Sequence, residues 1–128
     1  MKIKDYRDLI VWQKSIELVV IVYKLTEDFP KTELYGLASQ MRRAAISVPS
    51  NIAEGQRRGS RKDFRHFLLT AFASGAELET QIEITKRLAF GQGFNYVELD
   101  NLLAEVMRML NVLTSRLQTT NYKLLTTH

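Results

Sequence analysis

The chain has 128 residues, 45% hydrophobic and 25% charged, the composition of one globular domain (1–128); it is too short for a cofactor module joined to a substrate module. The absence of cysteine excludes a disulfide framework, thiolate zinc sites and cysteine nucleophiles, and a formal charge of +4 gives a mild bias toward polyanions. The longest stretch without an Asp, Glu, Lys or Arg, residues 66–76, is eleven residues against the ~18 that a spanning helix needs, so no membrane partner is expected. The opening Met1-Lys-Ile-Lys-Asp-Tyr-Arg-Asp lacks the apolar run and cleavage site of a signal peptide, which makes a cytoplasmic location the expectation.

The first periodic segment carries Leu9, Trp12, Ile16, Val19, Val20 and Tyr23 at spacings of three and four, which predicts a helix over about 8–26 with that stripe facing the core. Phe29-Pro30 stops it. A second helix is predicted to open at Thr32 as its cap and to carry Leu34, Leu37, Met41, Ala44, Ala45, Val48, Ile52 and Ala53 before Gly55 and Gly59. Pro49 removes a backbone donor inside it, so a kink is expected near 47–49, the alternative being two shorter helices. Ala38, Ala44, Ala45, Ser47, Ser50 and Ala53 make this helix small-faced, which reads first as tight core packing and second as a subunit contact.

Gly59 closes the second helix and Ser60, with Asp63 three residues on, opens the third in the manner of a capping box. Phe64, Phe67, Leu68, Ala71, Phe72, Gly75, Leu78, Ile82, Thr85 and Leu88 keep helical spacing to about residue 89, where Gly91-Gln92-Gly93 ends the run. Asn95 with Glu98 makes a second capping pair before Leu99, Leu102, Leu103, Val106, Leu110, Leu113 and Leu117, and a polar tail over 119–128 is expected to fray. No segment alternates as a strand does. Four long helices on short turns predict an all-α, antiparallel up-down-up-down four-helix bundle with its core over about 6–118.

That topology sorts the charges. One pole collects Lys2, Lys4, Arg7, Arg57, Arg58, Arg61, Lys62, Arg65, Arg116 and Lys123 against Asp5, Asp8 and Asp63, a local balance of +7. The other collects Glu27, Asp28, Glu33, Glu98 and Asp100 against Lys31, Lys86 and Arg87, a balance of −2. The basic end suits a phosphate backbone bound by counterion release, with little base specificity. The turn between the second and third helices adds free backbone donors and a positive dipole end to its cations. The expected contact set is Arg57, Arg58, Arg61, Lys62 and Arg65, joined by Arg42 and Arg43, about 21 Å from Arg57 along the helix. Arg42 and Arg43 point about 100 degrees apart, so at most one faces the core edge. The competing readings are a plain helix turn with Glu54 and Arg58 paired at i,i+4, or a basic pole that meets Glu77, Glu79 or Glu83 of a neighbouring subunit. Asn51, if buried, would find a partner in Arg43 or Arg58.

Enzymatic patterns are missing. Of two histidines, His66 is followed by Leu69 and Thr70 where a second ligand would stand, and His128 lies at the end; no metal or cofactor motif emerges. Gly91-Gln92-Gly93 has no preceding strand and no lysine for a phosphate loop. The expectation is a non-enzymatic protein. Tyr6, Trp12, Tyr23 and Tyr35 offer stacking surfaces, but most lie on or beside apolar stripes and read as core.

The runs Leu9-Ile-Val-Trp-Gln-Lys, Glu33-Leu-Tyr-Gly-Leu-Ala-Ser-Gln-Met-Arg-Arg-Ala-Ala, Ser47-Val-Pro-Ser-Asn-Ile-Ala-Glu-Gly and Asp63-Phe-Arg-His-Phe-Leu resemble the four-helix-bundle proteins encoded in intervening sequences of large-subunit ribosomal RNA genes. The resemblance runs from about residue 6 to 117. It implies a ring-like homopentamer and relatedness to the accessory variability determinant of diversity-generating retroelements, which has a basic surface, binds nucleic acid and associates with a reverse transcriptase. Arg42, Arg43, Asn51, Glu54, Gly55 and the basic residues after them match family motifs, none with a catalytic role. Where many relatives read Gly-Ser, this chain reads Ser74-Gly75. The expected activity is therefore RNA or DNA binding by a homo-oligomer, as an adaptor beside a reverse transcriptase or other protein. The alternative is a structural assembly or partner-binding module with no nucleic-acid activity.

Overall fold

In the computed structural model, which describes residues 5–126 and the side chains of 5–118, Asp5 caps a short 3-10 turn, Tyr6–Asp8, and the chain enters α1, Ile10–Glu27. Pro30, with φ fixed at −57°, starts a second 3-10 turn, Lys31–Glu33, and a π-type turn, Leu34–Ala38, leads into α2, Ser39–Arg57. The third helix, α3, spans Arg61–Arg87, a 3-10 turn spans Ala89–Gly91, and α4 spans Val97–Thr126. No strand occurs among the described residues.

Side chains that cross between helices give the directions. Thr26 at the end of α1 meets Arg42 at the start of α2, and Met41 there meets Thr85 near the end of α3. Lys86 at the end of α3 reaches Asp100 in the first turn of α4, while Arg65 near the start of α3 reaches Thr114 and Gln118 in the second half of α4. Successive helices therefore run antiparallel, and the N-terminal segment, the α2–α3 turn and the second half of α4 share one end.

The core has two parts. At the end holding the α1–α2 and α3–α4 connections, Leu18, Val22, Met41, Leu78, Ile82 and Leu99 pack beside Phe29, which stacks on Phe94 at 5.7 Å and meets Phe90 edge-on at 5.0 Å. Toward the basic end, Val11, Val48, Ile52, Phe64, Leu68, Val106 and Leu110 form the second part. Ala38, Ala44 and Ala45 are buried in the first, so their smallness serves tight packing.

Several local expectations are corrected. In α1 the residues facing the core are Val11, Ser15, Leu18, Val22 and Thr26, whereas Ile16, Val20 and Tyr23 stay 38%, 48% and 37% exposed. Leu9, Trp12 and Val19 of the expected stripe do pack against the core, so spacing alone finds half of the inward side of a helix that is apolar on both sides. Thr32 makes no cap, because the chain turns at Pro30 and becomes α-helical only at Ser39. Of the two expectations for Pro49, the single helix holds, with Pro49 inside an undivided α2, and a separate departure from helical dihedrals falls at Gly36 (φ −110°, ψ −110°). Asn51 turns back along its own helix: its Nδ2 donates to the Ser47 carbonyl at 2.7 Å and hydroxyl at 3.0 Å, and neither arginine is its partner. Asn95 accepts from Val97 N–H at 3.0 Å and so caps by its own side chain.

Candidate nucleic-acid interface

The α2–α3 turn is built from three residues. Arg58 N–H still bonds the carbonyls of Glu54 (3.2 Å) and Gly55 (3.3 Å), and Gly59 takes the left-handed conformation at φ 86°, which costs a residue without Cβ nothing. Ser60 is extended, and its Oγ accepts from Asp63 N–H at 3.1 Å to start α3. The reversal is this tight because Gly55 lets α3 approach: a Cβ there would stand 2.6 Å from Phe67 Cβ.

Four cations crowd this corner, all exposed. Arg58 pairs with Glu54 at 3.0 Å and lies over the Phe67 ring at 4.9 Å, as the i,i+4 spacing predicts. Arg57 lies 3.8 Å from Asp5 and 5.3 Å over the Tyr6 ring. Arg61 and Lys62 occupy the first turn of α3, and among the described residues no carboxylate lies within ion-pair distance of either. Cations at a helix N-terminus oppose the macrodipole, so these two sit where folding gains nothing from their charge.

The remaining expected contacts separate. Arg65 is half-buried and ties α3 to α4, its Nε donating to the Thr114 carbonyl at 3.3 Å and its Nη2 to Gln118 Oε1 at 3.0 Å. Arg42 is bound inside the bundle: Nε donates to Thr26 Oγ1 at 2.8 Å, and the guanidinium covers the Tyr23 ring at 4.5 Å. Arg43 is exposed on a groove of about 400 Å³ shared with Gln40, Ser47, Ser74 and Glu77, where Ser74 Oγ donates to Ser47 Oγ at 3.0 Å. Lys2, Lys4 and the side chain of Lys123 lie outside the described residues. The described part of the pole keeps seven basic side chains, opposed by Asp5, Asp8, Asp63 and, omitted from the sequence balance, Glu54. Its charge is +3.

At the opposite pole Lys86 and Arg87 are paired. Lys86 contacts Asp100 at 2.7 Å and Glu83 at 3.9 Å and lies 5.3 Å over Tyr96; Arg87 shares Glu83 at 3.9 Å. The Asp100 hydrogen bond raises the Lys86 pKa above its ordinary value, and burial raises that of Tyr96, whose hydroxyl donates to the Gly91 carbonyl at 2.6 Å. His66 is exposed, edge-on to Phe67 at 5.5 Å. Of the four aromatic residues that offered stacking surfaces, Tyr6 and Trp12 are half-buried and edge-on at 5.3 Å, Tyr23 lies under Arg42, and Tyr35 is 92% exposed.

Sequence reasoning missed the cluster of Asp5, Tyr6, Arg7 and Arg57, where one carboxylate and one ring join the N-terminal segment to the end of α2. The signal was the Asp-Tyr-Arg run just before the first helix. No helix among the described residues is long and apolar enough to cross a membrane. A sequence model of the family described as 23S rRNA-intervening sequence protein matches residues 7–112, from the first turn into the middle of α4. No curated protein matches the chain at a significant level. The matched span includes every cation of the α2–α3 corner and stops short of Thr114 and Gln118, the partners of Arg65.

Proposed function

We propose that the chain, which belongs to the family of 23S rRNA-intervening sequence proteins, is a non-enzymatic, homo-oligomeric helical bundle that binds the backbone of RNA or DNA through the α2–α3 corner. Arg61 and Lys62 carry this reading: two exposed cations with no carboxylate partner among the described residues, set on a helix end that already favours anions. Arg57 and Arg58 extend the surface around the turn, each braced over an aromatic ring, which holds a guanidinium in place without neutralising it. Exposed cations gathered at a short turn suit phosphates, so the contact expected is sequence-tolerant.

Self-assembly is supported by the outer side of α1. Ile16, Val20 and Tyr23, with Ile46 of α2, leave an apolar strip, and below it Trp12, Val19, Pro49 and Ala53 line a groove of about 290 Å³. A helix apolar on opposite sides is covered on both, and one chain covers only one of them. A ring-like homopentamer, implied by the family resemblance, would cover the other.

The test is salt-dependent binding of a labelled RNA. Contacts to four phosphates make the affinity fall roughly 50- to 150-fold between about 50 and 200 mM salt. Charge reversal at Arg57, Arg58 and Arg61 should abolish binding and leave the oligomer unchanged by light scattering. Absence of binding at low salt, or binding indifferent to salt, refutes the nucleic-acid reading. Dissociation of the triple variant supports the alternative, a corner that meets acidic residues of a neighbouring subunit. Val20→Glu should break the assembly while the helical spectrum of the chain persists.

A further inference from the structure

The corner contains an anion position that is filled by the chain itself. Asp5 Oδ1 accepts from the backbone N–H of Arg7 at 2.8 Å and from Arg7 Nη1 at 3.2 Å, while Oδ2 lies 3.1 Å from Arg7 Nη1 and 3.8 Å from Arg57 Nη2. The two guanidinium groups come from segments fifty residues apart in sequence and meet at one ring, with Arg7 Cζ 4.6 Å and Arg57 Cζ 5.3 Å from the Tyr6 centroid. Trp12 fixes that ring edge-on. Both arginines are more than half exposed, so the carboxylate is an outer partner and no buried charge depends on it.

We propose that Asp5 holds the place of a backbone phosphate: the Arg7 N–H and the guanidinium groups of Arg7 and Arg57 form a phosphate site, and Asp5 competes with nucleic acid for it. The inference rests on the nucleic-acid reading above and adds to it the N-terminal segment as a ligand-binding element. Two guanidinium groups and a backbone donor facing one anion are what a phosphodiester oxygen pair satisfies, and a phosphate offers more acceptor oxygens to a second guanidinium than a carboxylate does. Exposed ion pairs of this kind are weak, so a nucleic-acid strand whose other phosphates are held by Arg58, Arg61 and Lys62 displaces the carboxylate readily. A purely local role for Asp5, as cap of the turn Tyr6–Asp8, makes a different prediction, because asparagine caps as well as aspartate.

The experiment measures affinity for a labelled single-stranded RNA at low salt. Asp5→Asn should bind about three- to fivefold tighter than the unaltered protein, the range open to an exposed pair. The gain should vanish in an Arg57→Gln background, and Asp8→Asn, which removes the same charge three residues away, should change affinity less than about twofold. A matching urea midpoint verifies that Asp5→Asn leaves the fold intact. Equal gains from Asp5→Asn and Asp8→Asn, a gain that survives Arg57→Gln, or no gain at all overturns the proposal while salt-sensitive binding by the unaltered protein stands. Failure of every variant, and of the unaltered protein, to bind at low salt removes the proposal together with the function it rests on.

Discussion

Replacing Gly55 by alanine tests whether close approach of α2 and α3 builds the basic corner. Two effects oppose each other. In a helix interior the change from glycine to alanine stabilises by about 1 kcal/mol through backbone entropy. Against it, the new methyl stands 2.6 Å from Phe67 Cβ and 3.3 Å from both Phe64 Cδ1 and the Phe64 carbonyl oxygen, where contacting carbons prefer about 3.5–4.0 Å. Phe67 Cβ is bonded to the α3 backbone and moves only if the helix moves, so the two helices must part by roughly 1 Å beside the turn. Overpacking of this kind costs about 1–3 kcal/mol, which leaves a net loss of about 1 kcal/mol. Gly75 provides the contrast. Its added methyl would meet the Met107 thioether, the end of a flexible side chain that swings aside, so Gly75→Ala should lie within about 1 kcal/mol of the unaltered protein and above Gly55→Ala. Urea midpoints at an unchanged m value measure both. Should Gly55→Ala prove the more stable of the two, the packing argument for the corner is refuted.

Two further substitutions test the interhelical ties. Thr26→Val takes away the acceptor of Arg42 Nε in a half-buried site, so the unfolding free energy from urea titration should drop by about 1–2 kcal/mol; Arg42→Gln should leave RNA affinity unchanged, and a loss of binding there would contradict its place against α1. At the other pole, Lys86 and Tyr96 have folded pKa values raised above the ordinary 10.5 and 10.0, the first mainly by the Asp100 hydrogen bond and the second by burial. Their contribution to stability is complete below those ordinary values and is lost as pH rises through the raised ones. Stability between about pH 9.5 and 11.5 should therefore fall more steeply in the unaltered protein than in Asp100→Asn, and parallel curves would show that the pair contributes nothing.

Features decided within a few residues were legible in the sequence. Gly59 and Ser60 announce the tight turn because the left-handed residue and the extended cap are local requirements, and Glu54–Arg58 follows from helical spacing alone. The inward side of α1 was legible only in part. Its apolar residues stand at most azimuths, and the inward set, Val11, Leu18 and Val22, is decided by where α2 and α4 lie. Arg42 and Arg43 show the same divide. Their adjacency requires them to point apart, but that Arg42 is the one bound in the bundle depends on Thr26 and Tyr23, sixteen and nineteen residues earlier on another helix. Arg65 could not be assigned for the same reason, since its partners lie about fifty residues onward.

The cations of the corner are not equivalent evidence for an anion ligand. Tyr6 and Trp12 line the apolar groove between α1 and α2 and also belong to the cluster that holds Arg57, so a neighbouring copy seated on that groove would press against Arg57 as well. Loss of RNA binding after a change at Arg57 therefore has two readings, a missing phosphate contact or a disturbed assembly. Arg61 and Lys62 have neither an aromatic brace nor an acidic partner among the described residues, and they line none of these grooves. They begin α3 just beyond Gly59. An effect on binding at these two positions with the oligomer intact has only the phosphate reading, which makes Arg61 the decisive member of the charge-reversal set and Lys62 the substitution to test beside it.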